Sequence, residues 1–416
     1  MRFTQVTHEE FSDFVELHRH CHTQLPEYAR ARAAAGGEVE ILGAYKDSGG
    51  KEALVAAAVV VYQPWARFFK KAVIAFGPLV DFSDLGAVSY FLTGLRTYLK
   101  RKKNVIVAEM NPLLPVRFYD DIQPIGTNAE AAPVIDVFTR HGMRRIDAEF
   151  YERPGLQARY IYTKDVAGKT FEEATATLAK GLRRRFHNEG RYGVEVRCLP
   201  PEQFHVFEGL HESTAERTTA GDLSRSSATM LTNLMKELGP ERSVLAVAFL
   251  RPQVYIDQID AEVAELTERI AVLEARPQTA NRDRELEQVK ERIAGHAERR
   301  GPVVEILEEF GEEIPFNGAL AFQCGRELLA LAGGMDKRFF EYARDYPVER
   351  ELFKWTCDHG LDTYNTFGIS GIFDETAPDK AVLAFKRLLR GKVEEFTGTW
   401  VMPIRPTLMK ATKYPD

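Results

Sequence analysis

Two stretches of heptad spacing, separated by a polar turn, interrupt the second half of the chain. Their apolar residues are Val263, Leu266, Ile270 and Leu273, then, beyond Pro277 and Asn281, Leu286, Val289 and Ile293. This spacing predicts an antiparallel helical hairpin with a coiled-coil seam. The flanking segments resemble neighbouring strands of one sheet, so we expect residues 251–303 to form an inserted arm. Periodicity does not show whether that arm is a dimerisation stalk or a lever that contacts a large partner such as tRNA.

The rest of the chain alternates strand-like and helix-like segments in two successive sets. The predicted strands are residues 38–44, 54–62, 72–76, 104–109, 159–164, 194–198, 244–250, 318–324 and 327–332, and a helix is predicted over 85–102. The pattern is typical of an α/β protein, and 416 residues exceed one ordinary core. We expect two similar units, residues 1–152 and residues 153–250 with 304–416. The C-terminal residues belong either to the second unit or complete the first.

No secretory or membrane signal is evident. The N-terminus has no apolar signal region, and the longest apolar run, residues 53–62, has only the length of a strand. We therefore expect a cytoplasmic protein. Because the net charge is −6, any contact with nucleic acid must come from a local basic surface.

Two basic clusters suit a polyanionic substrate, because arginine side chains grip phosphate oxygens in pairs. The first surrounds a predicted helix that ends near Gly190 and contains Arg183, Arg184 and Arg185; the second, predicted on a late helix, contains Lys386, Arg387, Arg390 and Lys392. Solvated helix faces are the alternative explanation.

Familiar catalytic motifs are absent from the sequence, including nucleotide-binding loops, hydrolase motifs and metal-ligand spacings. His18, His20 and His22 alternate in a segment predicted to be helical, where that spacing points the side chains apart. We predict no metal site.

Several ordered motifs resemble the Fem family of peptidoglycan-bridge aminoacyltransferases. A Y-x-x-x-G-I turn, an F-K-x-x-x-x-G segment and a closing G-x-W-x-x-P-I strand follow one another near the C-terminus; they contain Tyr364, Gly368 and Ile369, then Phe385, Lys386 and Gly391, then Gly398, Trp400, Pro403 and Ile404. Upstream lie a T-x-x-R segment ending at Arg217 and an N-terminal T-Q-x-x-E-Y motif, residues 23–28. The resemblance covers nearly the whole chain.

This resemblance implies two tandem acetyltransferase-like (GNAT-like) α/β domains with the coiled-coil arm. The implied activity is transfer of an amino acid from aminoacyl-tRNA to the stem-peptide side-chain amine of lipid II or UDP-MurNAc-pentapeptide. No cofactor is expected, because the aminoacyl ester carries the energy. A lipid-linked acceptor would also imply peripheral contact with the inner membrane face. The sequence predicts neither the amino acid, the stem residue nor the oligomeric state.

Site residues follow from the same resemblance. Lys386 and Phe385 would be catalytic, with the lysine close to the tRNA acceptor end, and Tyr364 would contact substrate. Arg32, in an alignment that could slip to Arg30, and Arg217 would bind the acceptor diphosphate. The arginines Arg183, Arg184, Arg185 and Arg390 would contact tRNA.

A departure at Asn111 and three alternatives bear on this interpretation. Asn111 stands where many relatives carry an acid, and an amide cannot act as a general base; Glu109 could substitute. The chain could instead be a non-catalytic adaptor, or a tRNA-dependent transferase with another amine acceptor. An acetyl-CoA-dependent acetyltransferase would need a glycine-rich phosphate loop that the sequence lacks.

Overall fold

The computed structural model describes residues 2–148, 156–215 and 225–414. Its strands, in chain order, are β1 (Arg2–Gln5), β2 (Glu38–Ser48), β3 (Lys51–Trp65), β4 (Phe69–Ile74), β5 (Leu79–Val80), β6 (Val105–Met110), β7 (Pro115–Asp120), β8 (Gln123–Thr127), β9 (Arg144–Arg145), β10 (Tyr160–Asp165), β11 (Val194–Cys198), β12 (Ser243–Leu250), β13 (Ile314–Cys324), β14 (Glu327–Met335), β15 (Thr363–Ile369), β16 (Lys392–Phe396) and β17 (Trp400–Pro403).

The α-helices are α1 (His8–Val15), α2 (Pro26–Ala34), α3 (Leu85–Arg101), α4 (Ala131–Arg140), α5 (Phe171–Ala176), α6 (Lys180–Phe186), α7 (Phe204–Ala215), α8 (Arg225–Leu238), α9 (Pro252–Glu274), α10 (Ala280–Phe310), α11 (Pro347–Asp358), α12 (Lys380–Arg387) and α13 (Pro406–Ala411). Short 3-10 helices cover His22–Gln24, Arg191–Gly193, Pro201–Gln203 and Lys337–Ala343.

The strands form two sheets of similar design. The first has the order β1-β2-β3-β4-β6-β17-β9, with β5 paired to β3, and the second has the order β11-β12-β13-β14-β15-β10-β16-β7-β8. Within the described ranges, each sheet is antiparallel except for one internal parallel pair, β4 with β6 and β14 with β15. The predicted two-sheet α/β class is confirmed, and every predicted strand overlaps an observed one.

The two sheets exchange strands. The C-terminal β17 pairs with β6 of the first sheet, whereas the early hairpin β7–β8 joins the second sheet through β16. Residues 1–152 therefore contribute strands to both sheets. The C-terminal segment does the same, because β16 belongs to the second sheet and β17 to the first.

A shared apolar core joins the sheets. Helices α1, α2, α7 and α8 contribute Phe11, Tyr28, Phe207 and Leu234 to one cluster, which also contains residues of both sheets such as Val59 and Phe322. On the far side of the first sheet, α3 buries Val88, Phe91, Leu92, Leu95 and Leu99, as its apolar periodicity predicted. Burial of these side chains on both faces stabilises the layered arrangement.

The predicted arm is present. Helices α9 and α10 are antiparallel, and α10, with 31 residues, is ~46 Å long. Leu266, Leu273 and Val289 are buried in its seam, with Ile270, Leu286 and Ile293 packed beside them. The arm joins β12 to β13, which are antiparallel neighbours as expected. It extends beyond the predicted boundary, since α10 ends at Phe310.

Two local predictions were wrong. His18 and His20 lie in the connection after α1, and His22 begins a short 3-10 helix, because α1 ends at Val15. The late basic helix ends at Arg387, so Arg390 lies in the following turn, with a φ of 52°, and Lys392 begins β16. No described helix is long and apolar enough to span a membrane.

Candidate active site

A cleft opens where the parallel strands β14 and β15 separate. The two strands pair only from Glu327 with Thr363 to Leu329 with Asn365. Beyond that point, residues 330–333 of β14 and 366–368 of β15 line a cavity of about 600 Å³. Helices α7, α11 and α12 complete its walls with His211, Glu349 and Lys386 among others. The diverging backbones give a ligand access to the interior of the sheet.

Lys386 is held inside this cleft by the backbone of β15. Its side chain is buried, and Nζ donates hydrogen bonds to the carbonyl oxygens of Thr366 (2.7 Å), Phe367 (3.2 Å) and Gly368 (2.8 Å). The three carbonyls converge because Phe367 adopts a left-handed conformation, with a φ of 64°. Burial lowers the pKa of Lys386 to about 8, against the opposing effect of Glu349 and Asp379.

Glu349 is an acidic residue of the cleft that was not predicted from the sequence. It lies in the first turn of α11 and lines the same cleft as Lys386. Burial raises its pKa, whereas a hydrogen bond from the Tyr364 hydroxyl and the charge of Lys386 act in the opposite direction. A carboxyl with a raised pKa beside a buried ammonium is a typical acid–base arrangement. The only sequence signal was an acid in the first turn of a helix, which helices generally favour.

Tyr364 lies behind the cleft rather than on its surface. Its ring is completely buried and packs against Phe353 with centroids 5.7 Å apart. Its hydroxyl donates to Glu349. In this conformation Tyr364 orients Glu349, which differs from the direct substrate contact that the motif implied.

Aromatic contacts connect the cleft to the first basic cluster. The ring of Phe385, which lines the cleft, lies 4.7 Å from that of Tyr346, and the Arg185 guanidinium lies 5.2 Å from the same tyrosine ring. Arg185 belongs to α6, so the sequence-distant basic helix and the Phe385–Lys386 pair are neighbours. An arginine over an aromatic face is stabilised by cation–π attraction.

The two basic clusters meet on one surface. The amide of Ala179, which precedes α6, donates to the carbonyl of Leu388 just after α12 at 2.9 Å. Arg184 and Arg390 are exposed, and Arg183 is half-exposed and bonds the carbonyl of Ala176. The start of α6 and the turn after α12, which carry the two basic clusters, are therefore neighbours.

The residues expected to bind the acceptor are not gathered at this cleft. Arg32 lies on α2 and is absent from the residues that line the Lys386 cavity. Its Nε is buried, with no hydrogen-bond partner among the described residues. Arg30, the alternative position, instead pairs with Glu237 at 2.7 Å. Arg217 lies outside the described residues.

The N-terminal motif holds the backbone behind the cleft. Thr23 and Gln24 both donate to the carbonyl of Ala75, at 2.7 and 2.8 Å. The neighbouring Phe76 packs its ring 5.8 Å from that of Phe367, the residue whose carbonyl Lys386 contacts. The motif is therefore structural in this conformation.

Asn111 also serves this backbone. Its Oδ1 accepts a hydrogen bond from the Phe76 amide at 3.0 Å, and the side chain is buried. Glu109, the substitute considered for the missing acid, is occupied by an ion pair with Lys71 at 2.9 Å and by the Tyr414 hydroxyl. These contacts show that Asn111 and Glu109 stabilise the fold in this structure.

Metal ligation finds no support in the described ranges, where no group of three or more His, Cys, Asp or Glu side chains is arranged to hold an ion. His18 Nδ1 contacts the carbonyl of Phe14, and His22 stacks on Phe322 with centroids 5.9 Å apart.

Comparisons with known proteins establish the family of the chain. The model of the FemAB family matches residues 6–415. Aminoacyltransferase FemA of Staphylococcus epidermidis is 26% identical over 410 residues, which cover 97% of this chain and 96% of the relative. Aminoacyltransferase FemA of Staphylococcus aureus is 25% identical over 417 residues, covering 99% and 97%.

Among solved structures, a crystal structure of FemX superposes with a TM-score of 0.75 at 18% identity and covers 99% of both chains. That similarity shows the fold, and the family model extends across both sheets and the arm. The chain belongs to the FemAB family.

Proposed function

We propose that this FemAB-family aminoacyltransferase moves an amino acid from aminoacyl-tRNA to the side-chain amine of a peptidoglycan stem peptide, and so builds the interpeptide bridge. The observation that carries the proposal is that buried Lys386 and the carboxyl of Glu349 line one open cleft. The family match and the two FemA relatives, which are named aminoacyltransferases, support the same reaction class.

The reaction needs an amine freed of its proton and stabilisation of a developing oxyanion. The acceptor nitrogen attacks the carbonyl carbon of the aminoacyl ester, an amide bond forms, and the ester bond to the ribose oxygen breaks. Glu349 is the proposed base that takes the amine proton and returns it to the departing ribose oxygen. The ester supplies the energy, so the proposed reaction uses no cofactor.

Lys386 contributes through charge and through position. An ammonium has three N–H groups, and all three of them contact the carbonyls of residues 366–368. Because Lys386 is buried, water screens its positive charge weakly, and that charge favours the oxyanion. The hydrogen bonds of Lys386 fix the strand on which the ester would lie. Phe385 would support the acceptor end of the tRNA.

The donor tRNA is proposed to lie along the surface where α6 meets the turn after α12. Arg183, Arg184, Arg185 and Arg390 would contact its phosphates, because the guanidinium group pairs with phosphate oxygens. Arg32 and Arg217 remain the proposed contacts of the acceptor diphosphate. The acceptor is either lipid II or the soluble UDP-MurNAc-pentapeptide, and the proposed location is the cytoplasm, at the membrane face for a lipid-linked acceptor.

A panel of radiolabelled aminoacyl-tRNAs, each offered with lipid II and with UDP-MurNAc-pentapeptide, tests the proposal. We expect label to move onto one precursor from one or a few donors. The labelled amino acid should be attached to the side chain of the stem peptide. Folded protein that transfers from no donor to either acceptor would contradict the proposal and favour the adaptor. Transfer to another amine alone would favour the transferase with a different acceptor.

A further inference from the structure

Three segments from distant parts of the chain form one surface beside the first sheet. They are the β3–β4 turn, the loop from α3 to β6, and α13 with its flanks. The amide of Lys70 donates to the carbonyl of Asn104 at 2.9 Å, and Arg405 Nη2 donates to the carbonyl of Lys100 at 2.8 Å. Trp65 Nε1 donates to Thr412 Oγ1 at 3.3 Å. We call residues 64–70, 100–104 and 405–413 the basic end surface.

The basic end surface concentrates exposed positive charge on an acidic chain of net charge −6. Its exposed cations are Arg67, Lys100, Arg101, Lys103, Lys410 and Lys413. In the described parts of the chain none of these six forms an ion pair with a carboxylate, whereas nearby Lys70 and Lys102 are paired with Glu38 and Glu40. The unpaired charges are available to an external anion.

An apolar side chain projects from the same surface. Phe68, in the turn between β3 and β4, is 72% exposed, the second most exposed large apolar residue among the described positions. The Arg67 guanidinium lies 5.2 Å from its ring. Behind it, the ring of Trp65 packs at an angle of 59° against that of Tyr414, with centroids 4.8 Å apart, and this contact joins the turn to the C-terminal segment. The turn that carries the projecting ring is therefore packed against the C-terminal segment.

We propose that the basic end surface docks the protein on an anionic phospholipid bilayer. Lysine and arginine side chains are attracted to anionic headgroups, and an exposed aromatic ring enters the boundary between headgroups and acyl chains. The observations favour a bilayer over single-stranded nucleic acid, because one ring projects from a turn instead of several rings lining a groove. Only the purpose of this docking rests on the proposed function, because a lipid-linked acceptor would lie in the same bilayer.

Vesicle co-sedimentation tests the inference. We expect the protein to bind vesicles of phosphatidylglycerol and phosphatidylcholine but not vesicles of phosphatidylcholine alone, with binding that weakens as salt rises. The double substitution Lys100→Glu and Arg101→Glu should weaken binding by at least ~10-fold, since each basic residue near an anionic surface contributes substantially. Phe68→Ser should weaken the binding that persists at high salt.

The matched control is Arg284→Glu with Lys290→Glu on the arm, where both residues are exposed and the change in net charge is identical. It should bind vesicles as the wild type does. Equal loss in both double variants, or no binding of the wild type, would overturn the inference. The inference would also be overturned if the Lys100→Glu/Arg101→Glu variant bound vesicles normally but bound tRNA more weakly. That result would assign the surface to RNA.

A separate readout distinguishes this inference from the proposed function. Variants of the basic end surface should retain transfer to soluble UDP-MurNAc-pentapeptide, because none of its residues lines the Lys386 cleft. Vesicle binding without any transfer would contradict only the proposed function. Circular dichroism and thermal unfolding, unchanged in all variants, would show that each is folded.

Discussion

The ammonium nitrogen of Lys386 lies 2.7 Å from the carbonyl oxygen of Thr366, at the point where two parallel strands separate. Two further carbonyls contact the same nitrogen. A helix near the C-terminus is thereby fastened to the strand that lines the cleft. The lysine of the F-K motif is thus both part of the fold and a cation whose charge acts on Glu349 in the same cleft.

Protonation of Lys386 should be visible in the stability of the protein. Its pKa is lowered from 10.5 to about 8 on folding, so between these values the unfolded chain binds more protons. The free energy of unfolding should therefore rise with pH across that window relative to Lys386→Met, with a slope difference approaching one proton. Urea unfolding of both proteins at several pH values measures this, and parallel curves would contradict the buried ammonium.

Glu349 should control the acid side of the pH–rate profile. The carboxylate form accepts the amine proton, so the rate should rise as pH passes the raised pKa of Glu349. Glu349→Gln should lower kcat by ~10²–10⁴-fold, the usual contribution of a general base. Single-turnover transfer at a series of pH values is the measurement.

Tyr364→Phe provides a second test of the role of Glu349. The tyrosine hydroxyl bond opposes the rise in the pKa of Glu349, so its removal should raise that pKa further. The rising limb of the profile should then move to higher pH while the plateau falls much less than in Glu349→Gln. A limb that stays in place in Tyr364→Phe would argue against Glu349 as the titrating base.

Gly391 of the F-K-x-x-x-x-G motif should not tolerate a side chain. A Cβ at this position would lie 2.1 Å from the carbonyl oxygen of Thr163, a backbone atom that cannot move aside. Gly391→Ala should lower the free energy of unfolding by about 2–4 kcal/mol. Gly209→Ala, in an exposed part of α7 with open space around it, is the control and should stabilise by about 0.5–1 kcal/mol. Denaturant unfolding compares them, and similar values for the two would refute the packing argument.

Much of the architecture follows from local sequence pattern, because helix and strand periodicity depend on neighbouring residues. The arm, helix α3 and the pairing of β12 with β13 across the insertion were all predicted in this way. The exchange of β17 and of the β7–β8 hairpin between sheets was not predicted, since it depends on pairing between distant segments.

The site was predictable only in part for the same reason. Lys386 and Phe385 came from a motif, but nothing in the sequence indicated that Glu349 would line their cleft. Likewise, the contact of Arg185 with Tyr346, and of Tyr346 with Phe385, joins three separate segments of the chain. Such contacts arise from tertiary packing and carry no local signature.

Packing between the two helices of the arm should weaken when the buried side chain of Leu273 is truncated. Leu273 is fully buried between α9 and α10, and Leu273→Ala should destabilise the hairpin by about 2–4 kcal/mol. Val272→Ala, at a neighbouring position that is 49% exposed, should have little effect. Amide hydrogen exchange over residues 252–310 reports the difference as faster exchange in the first variant only. Equal protection in both variants would exclude a packed coiled-coil seam.

The most direct test compares two lysines of one helix in single-turnover transfer from aminoacyl-tRNA to the precursor. Lys386→Met removes the buried ammonium, and Lys380→Met removes the exposed one at the start of α12. We expect transfer to fall by at least ~100-fold in the first variant, as loss of one electrostatic stabiliser does elsewhere, and to be unchanged in the second. Wild-type transfer by folded Lys386→Met would contradict the assignment of this cleft as the active site.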